Sequence, residues 1–376
     1  MTLTHELALK KYFDPMPDPR IERTKRHLLS DILGITICAV ISGGETWLDV
    51  YRYGKSKEDW LKTFLELPHG IPSHDTIGRV FAALDPEAFR ICFTAWVQSL
   101  GRVPGQEIVA IDGKTLRRSF DRASQTNAIH VVSAWACEHR LVLGQIKTEE
   151  KSNEITAIPK LLEQIDVSGS IVTTDAMGCQ RNIVEKIVEK GADYVLHLKG
   201  NQGTMHENVK LWFEWASENH FKNMPCGTVE TFDYGHGRME QRRYYLSSQI
   251  EWFEHKEQWK NLVSFGMVES DRTINGQTQR ERRFYISSLS SESVASFAKA
   301  VRSHWAIENS LHWVLDVTFR EDENRVRKDH APENFAIIRH LALNLLKQES
   351  TSKESIRGRR KICGWDNAYL CKVLGI

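Results

Sequence analysis

The sequence predicts an α/β protein: a mixed sheet flanked by helices, with a helical N-terminal domain and a β-rich insertion. Three features predict it. Two short apolar runs each end in an aspartate, helical periodicity lies between them, and a later stretch alternates polar and apolar residues between turn signals. Ile108–Ile111 leads into Asp112-Gly113-Lys114, and Ile171–Thr174 leads into Asp175-Ala176-Met177-Gly178. Each run reads as a buried strand rich in β-branched residues, closed by an acid and then a small residue. An acid at the end of a central strand is either a helix cap or a metal ligand at the sheet rim. Two such acids, joined by a third on a later helix, favour the metal.

The elements follow in order. Residues 1–100 read as helical. After a turn at Pro15 to Pro19, Arg20, Arg23, Lys25, Arg26 and His27 form a basic lead-in to a buried helix over Ile32 to Ile41, ended by Gly43-Gly44. Ser73 is an N-cap for a helix with Ile77, Val80, Phe81 and Leu84 on its apolar face, and Pro86 opens another with Phe89, Phe93, Trp96 and Val97. This pair is either a plain helical hairpin or a helix-turn-helix that offers His74, Thr76 and Arg79 to a DNA groove.

From residue 101 to 200 the pattern is strand-rich. After the strand ending at Asp112, strands are expected over Ile129 to Ala136 and Leu141 to Ile146, and a helix over Glu154 to Ile165, with Pro159 near its start. The strand ending at Asp175, a helix over Asn182 to Glu189 stopped by Gly191, and a strand over Tyr194 to Leu198 complete the series. The order β-β-β-α-β-α-β is that of a ribonuclease H-like core: three antiparallel strands, then strands added in parallel through helical crossovers. Its first and fourth strands are neighbours, which would bring Asp112 and Asp175 together. Residues 201–290, with Arg242 to Leu246, Leu262 to Val268 and Arg283 to Ser287 between Gly235-His236-Gly237 and Asn275-Gly276 turns, form the insertion. Residues 291–376 complete the core and end in a helical, basic tail.

Composition sets bounds rather than identity. A chain of 376 residues, 41% hydrophobic, is long enough for more than one structural unit. Lys and Arg total 50 against 49 Asp and Glu, so bulk charge does not announce a nucleic-acid partner and local clusters must carry that case. The seven cysteines are scattered without a Cys-x-x-Cys pair, against a disulfide framework or structural zinc and in keeping with the cytoplasm. The longest apolar run, Ile32 to Ile41, falls short of the roughly 20 residues a membrane span needs, and no targeting segment is visible.

The third acid lies on a helix expected over Ser291 to Asp316. Turning 100° per residue from Ile307, Leu311 and Val314 fall within about 40° and Glu308 at about 100°, beside the apolar stripe. His304, Glu308 and His312 share one side of it. A zinc triad of these three is an alternative, although the His-Glu-x-x-His spacing is absent.

Five blocks then carry a resemblance: Ala110 to Arg117, Lys151-Ser152-Asn153-Glu154-Ile155, Thr173 to Gln180, Lys199-Gly200-Asn201-Gln202, and Arg302 to Asn309 with Leu311-His312-Trp313. In this order they closely resemble the H-repeat-associated proteins, DDE transposases of the ISAs type encoded by bacterial insertion sequences. The resemblance covers nearly the whole chain. It implies a catalytic triad, and with it the metal ligands, at Asp112, Asp175 and Glu308. One signature departs. Related transposases carry Tyr-x2-Arg-x3-Glu-x6-Lys around the glutamate, and here those positions hold Val301, His304, Glu308 and Leu315. Arg302, His304 and His312 are the candidates to make the missing DNA contacts.

The implied chemistry wants oxygen ligands: two Mg²⁺ ions, with Mn²⁺ able to substitute, roughly 3.5–4 Å apart on either side of the reacting phosphorus. Asp112 would bridge both ions, and Asp175 and Glu308 would each complete one. Lys114, Arg117, Arg118 and Arg122 follow the first aspartate as a basic cluster suited to phosphates, Lys199 follows a later strand, and Arg357, Arg359, Arg360 and Lys361 form a second cluster in the tail. A solvated charged surface is the plain alternative for both clusters. The expected partner is double-stranded DNA, the terminal inverted repeats of an element and a target, handled by a homodimer or larger assembly. A decayed DNA-binding relative and a stand-alone nuclease are the rival functions. A nucleotide-dependent oxidoreductase would need a Gly-x-Gly-x-x-Gly after the first strand, and none is there.

Overall fold

The structure, a computed structural model, describes residues 9–101, 106–121, 125–148, 154–235 and 238–376. Arg122, Lys151-Ser152-Asn153 and the His236-Gly237 part of a turn signal lie outside the described residues. Among the described residues nine strands form one sheet: β1 Ile108–Thr115, β2 His130–Ala136, β3 Leu141–Lys147, β4 Ile171–Thr174, β5 Asp193–Leu198, β6 Cys226–Gly235, β7 Arg238–Ser247, β8 Ser264–Ile274 and β9 Gln277–Ser287. Their spatial order is β3-β2-β1-β4-β5-β9-β8-β7-β6. β1, β2 and β3 are antiparallel, and β1, β4 and β5 are parallel. This is the ribonuclease H-like arrangement, with the first and fourth strands side by side.

The insertion does more than interrupt the core. β9 pairs antiparallel with β5, Leu196 opposite Ile286, so the four added strands extend the same sheet. The buried half of β8, from Ser264 to Val268, lies on the core while its outer half is polar and more exposed. Apolar residues thus anchor one end of each hairpin, and charged residues cover the end that projects.

Besides the helix Gly203–Glu218 at the start of the stretch expected to be β-rich, two elements differ from expectation. β1 does not stop at Asp112 but runs on to Thr115, because β2 continues to pair with it, Ser133 opposite Asp112 and Val131 opposite Lys114. β4 ends at Thr174, so Asp112 sits inside a strand at the point where its parallel neighbour stops. The glutamate helix is also not a uniform α-helix. A 3₁₀ turn over Ser291–Ser293 leads into an α-helix over Val294–Ile307, then a π-helical segment over Glu308–His312, then α-helix again over Trp313–Val317. Simple 100° periodicity cannot register such a widened turn, and π segments recur at functional sites.

The N-terminal helices do not have a core to themselves. Ile32 to Ile41, Phe81, Phe89 and Phe93 share one apolar cluster with Ala110, Trp135 and Val142 of the sheet and with Phe335 to Leu346 of the Ala331–Gln348 helix. Asn334 of that helix donates to the Phe81 and Leu84 carbonyls, fixing the link between the helices His74–Ala83 and Pro86–Ser99. Ser73 caps the first of these as expected, accepting from the Thr76 amide, while His74 and Arg79 stay exposed. No helix among the described residues is long and apolar enough to cross a membrane.

Candidate active site

The parallel register sets Ile111 beside Thr174, so the next residues, Asp112 and Asp175, lie side by side where β4 ends. Burial pushes the Asp112 carboxyl up to about 7, and the charges of Glu154, Asp175 and Glu308 add to it, opposed by the Gly113 N–H. Burial also raises the Asp175 carboxyl, with Glu154 again its leading like-charged neighbour and Lys199 acting the other way. The cap and the ligand readings of Asp175 are not exclusive. Its Oδ1 accepts from the Met177 and Gly178 amides at 2.9 and 3.3 Å and so caps the 3₁₀ turn Ala176–Gly178. Those bonds fix the carboxylate beside Asp112.

Glu308 opens the π segment and is exposed, within electrostatic reach of Asp112. Among the described residues no three His, Cys, Asp or Glu side chains converge, as they stand, on one point that an ion could fill. The two aspartates are preset by the sheet; Glu308 faces them from a separate element on a long, exposed side chain. Three acids thus come from three elements, β1, the turn after β4 and the π segment.

A transposase DDE domain family model matches residues 103–345, and the DDE_Tnp_1-associated model matches residues 10–97. The chain belongs to the DDE transposase family. It is 41% identical to the "H repeat-associated putative transposase YhhI" of Escherichia coli (strain K12), over 97% of each chain. It is also 46% identical to the "Uncharacterized protein in dhlA 3'region" of Xanthobacter autotrophicus, over 74% of this chain and 94% of that one. Among solved structures it is similar to a piggyBac transposase synaptic complex with hairpin DNA, with a TM-score of 0.42, 10% identity, and coverage of 98% of this chain and 77% of that one.

The basic residues of this transposase sort into two groups. Lys114 is turned inward: its Nζ lies 2.6 Å from Asp316, 2.9 Å from Glu321 and 3.3 Å from Asp322. Burial works against its charge, but Glu321 and Asp316 outweigh it and raise its pKa, so this candidate for phosphates is paired within the fold. His304 and His312 also have partners within the fold. His304 Nδ1 is 3.0 Å from Thr173 Oγ1, and His312 Nδ1 is 3.6 Å from Asp112 Oδ2. Burial lowers both to about 4, so each is neutral near pH 7 and brings phosphates no positive charge. In the tail, Arg360 donates to the Val40 carbonyl at 2.8 Å and stacks on Phe319, and Arg359 donates to the Leu346 carbonyl at 2.8 Å. These two hold the C-terminal helices, while Arg357 and Lys361 remain exposed.

Arg117, Arg118, Lys199 and Arg302 are exposed. Arg117 Nε is 3.1 Å from Asp322, and Arg302 Nη2 is 3.3 Å from Asp233 on β6. The Arg118 carbonyl accepts from Arg327 Nε at 3.0 Å, and Arg327 stacks on Phe120. Arg325, Arg327 and Lys328, passed over in the sequence, therefore lie beside the Arg117-Arg118 segment and line a groove with His74 and Arg79. A run of three cations within four residues was the signal available. Glu154 and His130 were also passed over, although Glu154 stood in one of the five blocks.

Proposed function

We propose that this transposase cuts DNA strands at the ends of its own element in the cytoplasm and joins them to target DNA, with Asp112, Asp175 and Glu308 as the catalytic acids. The observation that carries the reading is the pairing of Asp112 and Asp175 at the end of β4, both carboxyls raised by burial, with Asp175 and Glu308 among the charges that raise Asp112 further. The residues fit divalent cations by donor chemistry: oxygen ligands suit Mg²⁺ and Mn²⁺, and a cation would relieve the like-charge repulsion. When bound, such ions would activate the attacking oxygen and stabilise the leaving oxygen of an in-line displacement.

Asp112, Asp175 and Glu308 would hold the ions. Asp175, with Oδ1 fixed by two amides, keeps its carboxylate in place without reorganisation. His312 walls off the inner side of Asp112 as a neutral, buried ring. Arg117, Arg118, Lys199 and Arg302 would lie along the phosphates of duplex DNA. Two ends must be handled together, and a homodimer or larger assembly is the form expected for that.

The test is incubation of the purified chain with Mg²⁺ or Mn²⁺ and a supercoiled plasmid carrying the gene with its native flanks, beside Asp112→Asn. Metal-dependent 3′-hydroxyl ends at the element boundaries, joined to new sites and absent from the variant, are expected. Binding at the boundaries without cutting under either metal would overturn catalysis and leave a DNA-binding relative. Cutting without joining would leave a nuclease.

A further inference from the structure

Residues 324–330 join the short turn Glu321–Glu323 to the helix Ala331–Gln348, and three bonds pin this loop to separate parts of the chain. The Asn324 side chain donates to the Glu45 carbonyl at 2.6 Å. Arg327 Nε donates to the Arg118 carbonyl at 3.0 Å, and its guanidinium lies over the Phe120 ring. The His330 N–H donates to the Ala82 carbonyl at 3.3 Å, near the end of the helix His74–Ala83. A loop held at both ends and in the middle is already ordered, so a ligand has little ordering left to impose on it.

What the loop presents is positive charge. Arg325 and Lys328 are exposed, and among the described residues neither has an ion-pair partner. Together with Arg327, and with Arg79 of the helix His74–Ala83, they line a groove of about 890 Å³. Arg79 Nε reaches only the backbone carbonyl of Asp75, one turn back on its own helix. Two carboxylates line the groove against these four cations, Asp75 and Asp121, and the Asp75 carboxylate has His74 at 3.4 Å. On β7 and β9, by contrast, Arg242, Arg243, Arg280, Arg282 and Arg283 each meet a carboxylate. Charge that is neutralised within the outer sheet is left open here.

We infer that this groove is a second contact for the backbone of duplex DNA, with Arg79, Arg325 and Lys328 on the phosphates and Arg327 holding the loop that carries two of them. The inference rests on the DNA reading above and adds a surface to it. Arg118, which anchors Arg327, stands six residues on from Asp112, so their Cα atoms are at most about 22 Å apart. That span is on the order of six base pairs, so one duplex is long enough to touch both the acids and the loop's anchor. Contacts of this kind fix the position of DNA without reading its sequence.

The experiment is the salt dependence of DNA binding by the full chain, read by fluorescence anisotropy on two duplexes of equal length. One carries an element boundary with its native flank, and the other is unrelated. Each lost phosphate contact makes the log–log slope shallower by about one. Arg325→Ala combined with Lys328→Ala is therefore expected to flatten it by about two, and Arg79→Ala by about one, on both duplexes alike. Arg325→Lys should keep the wild-type slope, because the charge stays. All three side chains are exposed, so the variants should unfold as the wild type does. Wild-type slopes in the double variant and in Arg79→Ala, with Arg117→Ala shifted, would overturn the groove and leave the DNA reading standing. A loss confined to the boundary duplex would overturn it too, since that would mean base recognition. Absence of salt-dependent binding of either duplex by the wild type would overturn the DNA reading itself.

Discussion

Asp112 and Lys114 stand on the same face of β1, one residue between them, and the charge around them is arranged in opposite ways. Lys114 meets Asp316, Glu321 and Asp322, and Glu321 in turn meets Arg339 at 3.2 Å. Burial disfavours the Glu321 carboxylate, yet Lys114 and Arg339 overcome it and bring its pKa to about 2. Around Asp112 the neighbours are acids, and its carboxyl goes up to about 7. The first cluster is complete without anything from outside. The second gathers like charge instead, and on the proposed reading protons or cations would relieve it.

The sharpest break in the comparison comes from activity. Asp112→Asn, Asp175→Asn or Glu308→Gln is expected to lower strand cleavage by about 10³-fold or more, since metal-assisted stabilisation of the transition state is worth several kcal/mol. DNA binding, read by gel shift, should survive. Wild-type turnover by any one variant would remove that residue from the triad.

The brace predicts the next largest effect. Glu321→Gln leaves Lys114 and Arg339 short of a buried partner and is expected to destabilise the chain by about 3–5 kcal/mol in denaturant unfolding. The pH dependence follows from the depressed pKa. The Glu321 contribution is present above the unfolded carboxyl value of about 4.3 and is lost as pH falls through about 2, so the variant should converge on the wild type in acid.

Asp112 carries the opposite sign. Its folded pKa lies above its unfolded value, so the metal-free fold loses stability as pH rises toward 7. Asp112→Asn is therefore expected to stabilise the metal-free chain by on the order of 2 kcal/mol above pH 7, with the gain vanishing below about pH 4. Loss of stability in this variant at pH 8 would place Asp112 with the brace. The smallest effect is at the surface. Arg117→Ala should change unfolding by under about 1 kcal/mol and lower the salt dependence of DNA binding by about one phosphate contact.

Much of this was legible in the chain. β-branched runs ending in acids, and the order of strands and helices between them, specify which strands meet, and the parallel pairing of β1 with β4 follows from that order. What was hidden depended on partners distant in sequence. Lys114 reads as a free cation until Asp316 and Glu321 fold against it, and Arg360 reads as part of a basic tail until it reaches the Val40 carbonyl. The π segment at Glu308 has no period that a helical wheel can detect. Glu154 reads as no more than the first residue of a helix until Gly113 and His130 fold against it.

The most direct measurement is thermal unfolding of the wild type and Asp112→Asn with and without Mg²⁺. A ligand that binds the folded state stabilises it by about 2.7 kcal/mol at a hundred times its dissociation constant. The wild type should therefore melt higher as Mg²⁺ rises, and Asp112→Asn should not respond. Equal shifts in both proteins would mean that the ion binds elsewhere and that the acids on β1 and β4 are not its site.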